Sequence, residues 1–144
     1  MNAIARLVSV AALAGAGCDA APGVSAGDLR VIAPTPASRN AAGYLSISND
    51  RDEVLVISAL ASPQFEQVEL HETRVENGIA RMRRLGDVTV GPRQTLEFEE
   101  GGMHLMLIGP VDALAVGMPV TVEIGYDAGV LNVTAPLEFR AGAD

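Results

Sequence analysis

The last quarter of this 144-residue chain alternates with a period of two. Val120, Val122, Ile124 and Tyr126 are interleaved with Thr121, Glu123 and Gly125, and Leu131, Val133, Ala135, Leu137 and Phe139 are interleaved with mainly polar residues. Successive side chains of an extended strand point to opposite faces, so each segment is predicted to be a strand with one apolar face. Asp127, Ala128 and Gly129 between them make a turn, which gives a C-terminal hairpin. Upstream, Gly43 to Ser48 alternates and is closed by the turn residues Asn49, Asp50, Arg51 and Asp52. Val54 to Leu60 reads as an apolar run, which predicts a strand covered on both faces. Pro34 and Pro36 mark a loop. From Asp28 onward no long stretch holds a helical period. Eight or nine short strands at regular spacing therefore predict an all-β, antiparallel Greek-key β-sandwich.

Composition excludes several functions. The chain has room for one domain and can bury a core without disulfide or metal staples. Its formal charge is −8, and all ten basic residues are Arg. An acidic surface without a basic stripe argues against nucleic acid as a partner. Three Phe, two Tyr and no Trp leave little for base or sugar stacking. Cys18 is the single cysteine, so the domain has no disulfide, and soft-metal chemistry would fall to Met and His. A blue-copper centre, which needs a cysteine ligand, is excluded.

The N-terminus, MNAIARLVSVAALAGAGCDAAPG, has one positive residue, Arg6, then an apolar run from Leu7 to Ala16 and small residues beyond it. This pattern is a secretory signal, predicted over residues 1–20, with cleavage after Ala16, Ala20 or Ala21 equally compatible with the small-residue rule. The run is too short for a spanning helix, which needs about 20 apolar residues. A lipoprotein reading competes, with the signal ending at residue 17 and Cys18 lipidated, although Gly15 stands where a lipobox normally has Leu. Export to the periplasm is expected either way, with membrane attachment only if Cys18 is lipidated. Residues 21–144 form the single predicted domain.

The most informative stretch is VELHETRVENGIARMRRLG, residues 68 to 86. Asn77-Gly78 is a strong signal for a two-residue type I′ hairpin turn. Such a turn pairs Glu76 with Ile79, Val75 with Ala80, Arg74 with Arg81 and Thr73 with Met82. His71 then shares a face with Met82 as its diagonal neighbour, at about 7–8 Å, while Val68, Leu70 and Leu85 fall on the core face. A second stretch, GGMHLM at residues 101–106, places His104 and Met106 on one strand face and Met103, Leu105 and Leu107 on the other. Two imidazoles and two thioethers are a soft, neutral, four-donor set of the kind that selects Cu(I); Zn(II) is poorly served by thioether. A lone methionine in a β-sandwich is usually core filling, and Met103 and Met118 are assigned there. Met82 and Met106 differ because each lies beside a histidine on an otherwise polar face.

The spacing from His71 through Met82 and His104 to Met106 matches the signature H-x10-M-x21-H-x-M, and the words VELHETR, ENG, RMR and GGMHLML also resemble the periplasmic copper chaperone PCu(A)C family. Similarity runs from NAAGYLSISN into the C-terminal strands. The resemblance implies a cupredoxin-like β-sandwich that binds one Cu(I) ion through His71, Met82, His104 and Met106. It also implies delivery of copper to cytochrome c oxidase, with subunit II or a Sco-type thioredoxin-fold protein as partner. The chain departs from the pattern in two places. It ends in FRAGAD, without the His/Met-rich tail that adds a Cu(II) site in some members, and it has Val75 and Ala80 where many relatives carry further hairpin methionines.

The expected function is that of a monomeric copper carrier without catalytic turnover, its donors at an exposed edge where a second protein can exchange ligands. Copper sequestration for tolerance is a rival of the same class. A periplasmic interaction module with incidental Met and His is a rival of another. A hydrolase is poorly supported, since no G-x-S-x-G is present. Arg81, Arg83 and Arg84 read first as a solvated strand neutralised by Glu69, Glu72 and Glu76, and alternatively as a docking patch for an acidic partner.

Overall fold

The computed structural model describes residues 21–141. The signal sequence, Cys18 and the last three residues lie outside that range. The strands, in chain order, are β1 (Val24–Ala26), β2 (Arg30–Ala33), β3 (Asn40–Tyr44), β4 (Ser46–Asn49), β5 (Leu55–Ala61) and β6 (Phe65–Glu76), followed by β7 (Ile79–Arg84), β8 (Val88–Val90), β9 (Gln94–Glu97), β10 (Met103–Pro110), β11 (Pro119–Tyr126) and β12 (Gly129–Phe139). No helix occurs among the described residues, so none there is long and apolar enough to cross a membrane.

The C-terminal alternation becomes β11 and β12, paired so that Tyr126 faces Gly129 across an Asp127-Ala128 loop. Val120, Val122, Ile124 and Tyr126 all point into the core with Leu131, Ala135 and Leu137. Each aliphatic side chain so buried contributes about 1.5–3 kcal/mol relative to exposure. Nine strands form one curled sheet in the order β7-β6-β10-β3-β2-β12-β11-β5-β8, and β1-β4-β9 form a smaller second sheet. Together they make the Greek-key, cupredoxin-like β-sandwich.

Three sequence expectations change. Twelve strands replace eight or nine, partly because the GYLSIS segment is cut at buried Leu45, where the chain leaves the large sheet as β3 and enters the small one as β4. The short β1, β8 and β9 carry too few residues to show a period. One pairing is parallel: β12 runs alongside β2, with Leu137 opposite Val31, because the two strands come from opposite ends of the domain with the rest of the fold as their crossover. The β5 run is covered on one face only. Leu55 and Ile57 are buried, Val56 is half-buried, and Val54, Ser58 and Ala59 face solvent.

Asn49, read from sequence as a turn residue, is the pin between the two sheets. It is fully buried at the end of β4. Its amide Nδ2 donates toward the Glu53, Val90 and Gly91 carbonyls at 2.7, 3.1 and 3.1 Å, which ties the small sheet to β8 of the large one. Its Oδ1 accepts from the Arg51 backbone N–H and Nε, and Arg51 Nη2 continues to an Asp127 carboxylate oxygen at 3.3 Å. Removing the amide would leave buried carbonyls unpaired, each costing on the order of 1–3 kcal/mol. Asn49→Ala is therefore expected to lower stability by about 3 kcal/mol. In urea unfolding this should appear as a lower midpoint with an unchanged slope.

Candidate metal centre

The hairpin forms in the predicted register: Glu76 faces Ile79, Val75 faces Ala80, Arg74 faces Arg81 and Thr73 faces Met82. Asn77 and Gly78 take φ values of 52° and 76°, the doubly left-handed turn that Asn-Gly favours. Val68 and Leu70 are buried and Leu85 packs against the core, which leaves the opposite face of β6 for His71.

On the other side of β6, β10 pairs antiparallel so that His104 stands directly opposite His71 and Met106 opposite Glu69. Leu105 and Leu107 fill the core, with Met103 packed against it. One row of side chains thus crosses four strands: Arg84 faces His71, His71 faces His104, and the His104 ring meets Tyr44 of β3. The His71 and His104 ring centroids are 5.9 Å apart, and those of His104 and Tyr44 are 6.4 Å apart. A parallel row holds Glu69, Met106, Ala42 and Ile32. His104, Met106, Met82 and Thr73 line one cavity of about 350 Å³ with Tyr44 and Ala42. Two donors come from β10, one from β6 and one from β7.

The donors are not equally accessible. His104 is only 5 % exposed, whereas Met82, on the edge strand β7, is 53 % exposed. The expectation of an exposed edge holds for Met82 and fails for His104, which β3 and β6 flank on both sides. Ile32 is buried here although it lies apart from the main core. With Ala42 it gives Met106 an apolar floor.

The hydrogen bonds orient both imidazoles. His71 Nε2 lies 2.8 Å from Glu69 Oε2, and His104 Nδ1 lies 3.3 Å from the Gly102 carbonyl. A carboxylate and a carbonyl only accept, so the proton sits on Nε2 of His71 and on Nδ1 of His104. In the neutral rings the lone pairs are then on Nδ1 of His71 and Nε2 of His104. His71 Nδ1 is buried with no hydrogen-bond partner, a costly state for a nitrogen unless something else uses its lone pair. Gly102 presents its carbonyl because the preceding Gly101, at φ 81°, makes the left-handed turn that an L side chain would strain. The same carbonyl accepts the Thr73 backbone N–H at 3.0 Å, which links the β10 turn to the hairpin.

The surrounding charges are settled by neighbours. The hydrogen bond from His71 holds the Glu69 carboxyl below its ordinary range, with help from Arg84 and against the effect of burial. Burial raises the Tyr44 phenol, as does nearby Glu100, while Arg140 and Arg30 oppose the rise. Tyr44 therefore faces His104 as a neutral phenol. Arg83 and Arg74 pair with Glu72, and Arg84 pairs with Glu69 at 3.3 Å. The solvated-strand reading fits Arg83 and Arg84, with Glu72 and Glu69 as partners, while Arg81 and Glu76 make no ion pair among the described residues. Among the described residues no three His, Cys, Asp or Glu side chains gather as a metal-binding group. Two imidazoles beside two thioethers are a donor set whose chemistry fits copper(I).

Sequence reading named four candidate donors, which the structure sets on one sheet face, and did not connect Glu69, Gly102 or Tyr44 with them. Glu69 had a legible signal: it is two residues from His71 and so shares its strand face. Tyr44 had none, since its position depends on how β3 pairs with β10.

The fold places the chain with the PCu(A)C type of β-sandwich domain. Residues 24–137 match the family model described as "Putative lipoprotein LpqE-like", and the chain belongs to that LpqE-like family. A curated relative in Leifsonia xyli subsp. xyli, "Putative lipoprotein Lxx21020", is 25 % identical over 105 residues, covering 72 % of this chain and 63 % of the relative. The match therefore spans less than two thirds of that relative's length. Among solved structures, Cu(I)-bound DR1885 from Deinococcus radiodurans is 31 % identical with a TM-score of 0.64, over 85 % of this chain and 83 % of that one. Apo-DR1885 is 27 % identical with the same TM-score, over 98 % and 95 %. The copper-bound PCuAC domain of PmoF2, with a TM-score of 0.69 at 19 % identity over 84 % and 97 %, shares the fold.

Proposed function

We propose that this protein is an exported Cu(I) carrier that holds one copper ion with His71, Met82, His104 and Met106 and passes it to an acceptor without catalytic turnover. The observation that carries the reading is the placement of these four side chains from three strands on one sheet face, where Met82, His104 and Met106 line one cavity and His71, with a buried, unpartnered Nδ1, stands beside His104. The Cu(I)-bound and copper-bound relatives support it. Anaerobic titration against a chromogenic Cu(I) chelator should show one tight equivalent. Met82→Ala and Met106→Ala should each weaken it at least about tenfold, or about 1.4 kcal/mol; variants that bind like the parent would point instead to an interaction module with incidental donors.

The acceptor proposed is a copper site of cytochrome c oxidase, reached directly through subunit II or by way of a Sco-type protein. Exposed Met82 suits such an exchange, because an incoming ligand meets it before the buried His104. Deleting the gene should lower oxidase activity at limiting copper and leave copper tolerance unchanged. Copper sensitivity with normal oxidase would favour sequestration.

The proposed location is the periplasm, and the lipoprotein names of the family and of the Leifsonia relative support attachment through Cys18. Intact mass of membrane-extracted protein should then begin at Cys18 with a diacylglyceryl group. A free N-terminus downstream would leave simple signal cleavage.

A further inference from the structure

We infer that Glu69 is a positioning residue: its carboxylate locks the His71 ring in the Nε2–H tautomer and so presents Nδ1 as the metal-binding nitrogen. The inference rests on the copper reading above for its consequence and on the metal-free geometry for its content.

Glu69 and His71 are two apart on β6 and lean along the same face. Glu69 Oε2 accepts from His71 Nε2 at 2.8 Å, and Oε1 is held by Arg84 Nη1 at 3.3 Å. Arg84 itself stands directly across from His71 on β7, so Glu69 is braced from the strand beside the ring it orients. The Glu69 and His71 side chains are each only 17 % exposed, which limits competition from water for the bond. The carboxylate occupies Nε2 and leaves Nδ1 buried and unpartnered, as a metal ligand must be before its metal arrives. An imidazole held by a carboxylate through its other nitrogen has a fixed tautomer and ring angle and is a more basic ligand. Glu69 is a poor ligand in its own right, because a carboxylate oxygen is a hard donor mismatched to Cu(I). His104 is oriented by a neutral backbone carbonyl instead and binds through the opposite nitrogen, Nε2. The two imidazoles are thus held by different devices, and only that of His71 can be removed by mutating a side chain.

The test reads the tautomer in metal-free protein by two-bond 1H–15N correlation of the imidazoles at about pH 8, above the usual imidazole range. Wild-type His71 should show a single Nε2–H tautomer. Glu69→Ala should give a tautomer mixture at His71 with His104 unchanged, and Cu(I) affinity about 10–100-fold lower. Glu69→Gln, whose amide oxygen can still accept from Nε2–H, should restore most of both. A thermal scan of each variant checks that the sandwich stays folded; should Glu69→Ala not fold, Arg84→Ala takes its place and should partly release the tautomer. An unchanged His71 tautomer in Glu69→Ala, or in Arg84→Ala where it stands in, overturns the inference, as does Glu69→Gln binding copper as weakly as Glu69→Ala. Wild-type protein that takes no Cu(I) overturns the copper reading instead, and is told apart because the tautomer is read without metal.

Discussion

The register of β6 against β10 is the constraint on which the rest of the site depends. Antiparallel pairing sets His104 opposite His71 and Leu105 opposite Leu70, so the same hydrogen-bond ladder that buries the leucines also builds the imidazole pair. Strand side chains alternate strictly, and a slip of one residue would carry Leu105 and Leu107 to the cavity face and both β10 donors into the core. Burial of three aliphatic side chains on these two strands, Leu70, Leu105 and Leu107, penalises that slip by several kcal/mol. The core therefore holds the candidate donors in register through the ladder that β6 and β10 share. Glycine has a part in this closeness: a Cβ on Gly43 would meet Leu105 and Leu107 at 3.2 and 3.3 Å, so a side chain there would press on the leucines that fill the core.

What the sequence revealed and what it hid follow from how local each interaction is. The Asn77-Gly78 turn was legible because two adjacent residues determine it, and from the turn the pairing of six residues on each side follows by counting. The C-terminal hairpin was legible for the same reason. The four donors could be paired by face within their own strands, and His71 with Met82 across the hairpin, but the pairing of β6 with β10 spans some thirty residues of intervening chain. Nothing in the spacing alone says that His71 and His104 become neighbours. Tyr44 and the Ile32–Ala42 floor were hidden on the same account. The parallel contact of β2 with β12 was further still from view, since its strands lie more than a hundred residues apart.

Asn49 shows a different kind of concealment. A residue type common in turns was read as one, and it does end a strand, yet its amide points inward and joins two sheets. The turn reading used the backbone preference of asparagine, while the structure uses its side chain as a linker that donates to the Glu53, Val90 and Gly91 carbonyls and accepts from Arg51. Burying such a group is favourable only when its partners are all in place. Those partners, Glu53, Val90 and Gly91, come from segments that a reading by periodicity leaves as loops or very short strands.

The unequal burial of the four donors also bears on how a carrier can be both selective and able to let go. Of the candidate donors from β10, His104 is buried within the sheet and Met106 is half-buried. Met82 stands on β7, whose outer side pairs with no other strand among the described residues and whose residues are all exposed. A thioether leaves a metal without taking up a proton, so its departure needs no acid and no rearrangement of the core. On the copper reading, exchange would then begin at Met82 and proceed inward, with His71 next, held by Glu69 from beneath, and His104 last. Departure in that order would keep the ion bound by at least one imidazole while an incoming ligand attaches, and the placement of Met82 on the sheet edge, with the other three candidate donors on inner strands, fits it.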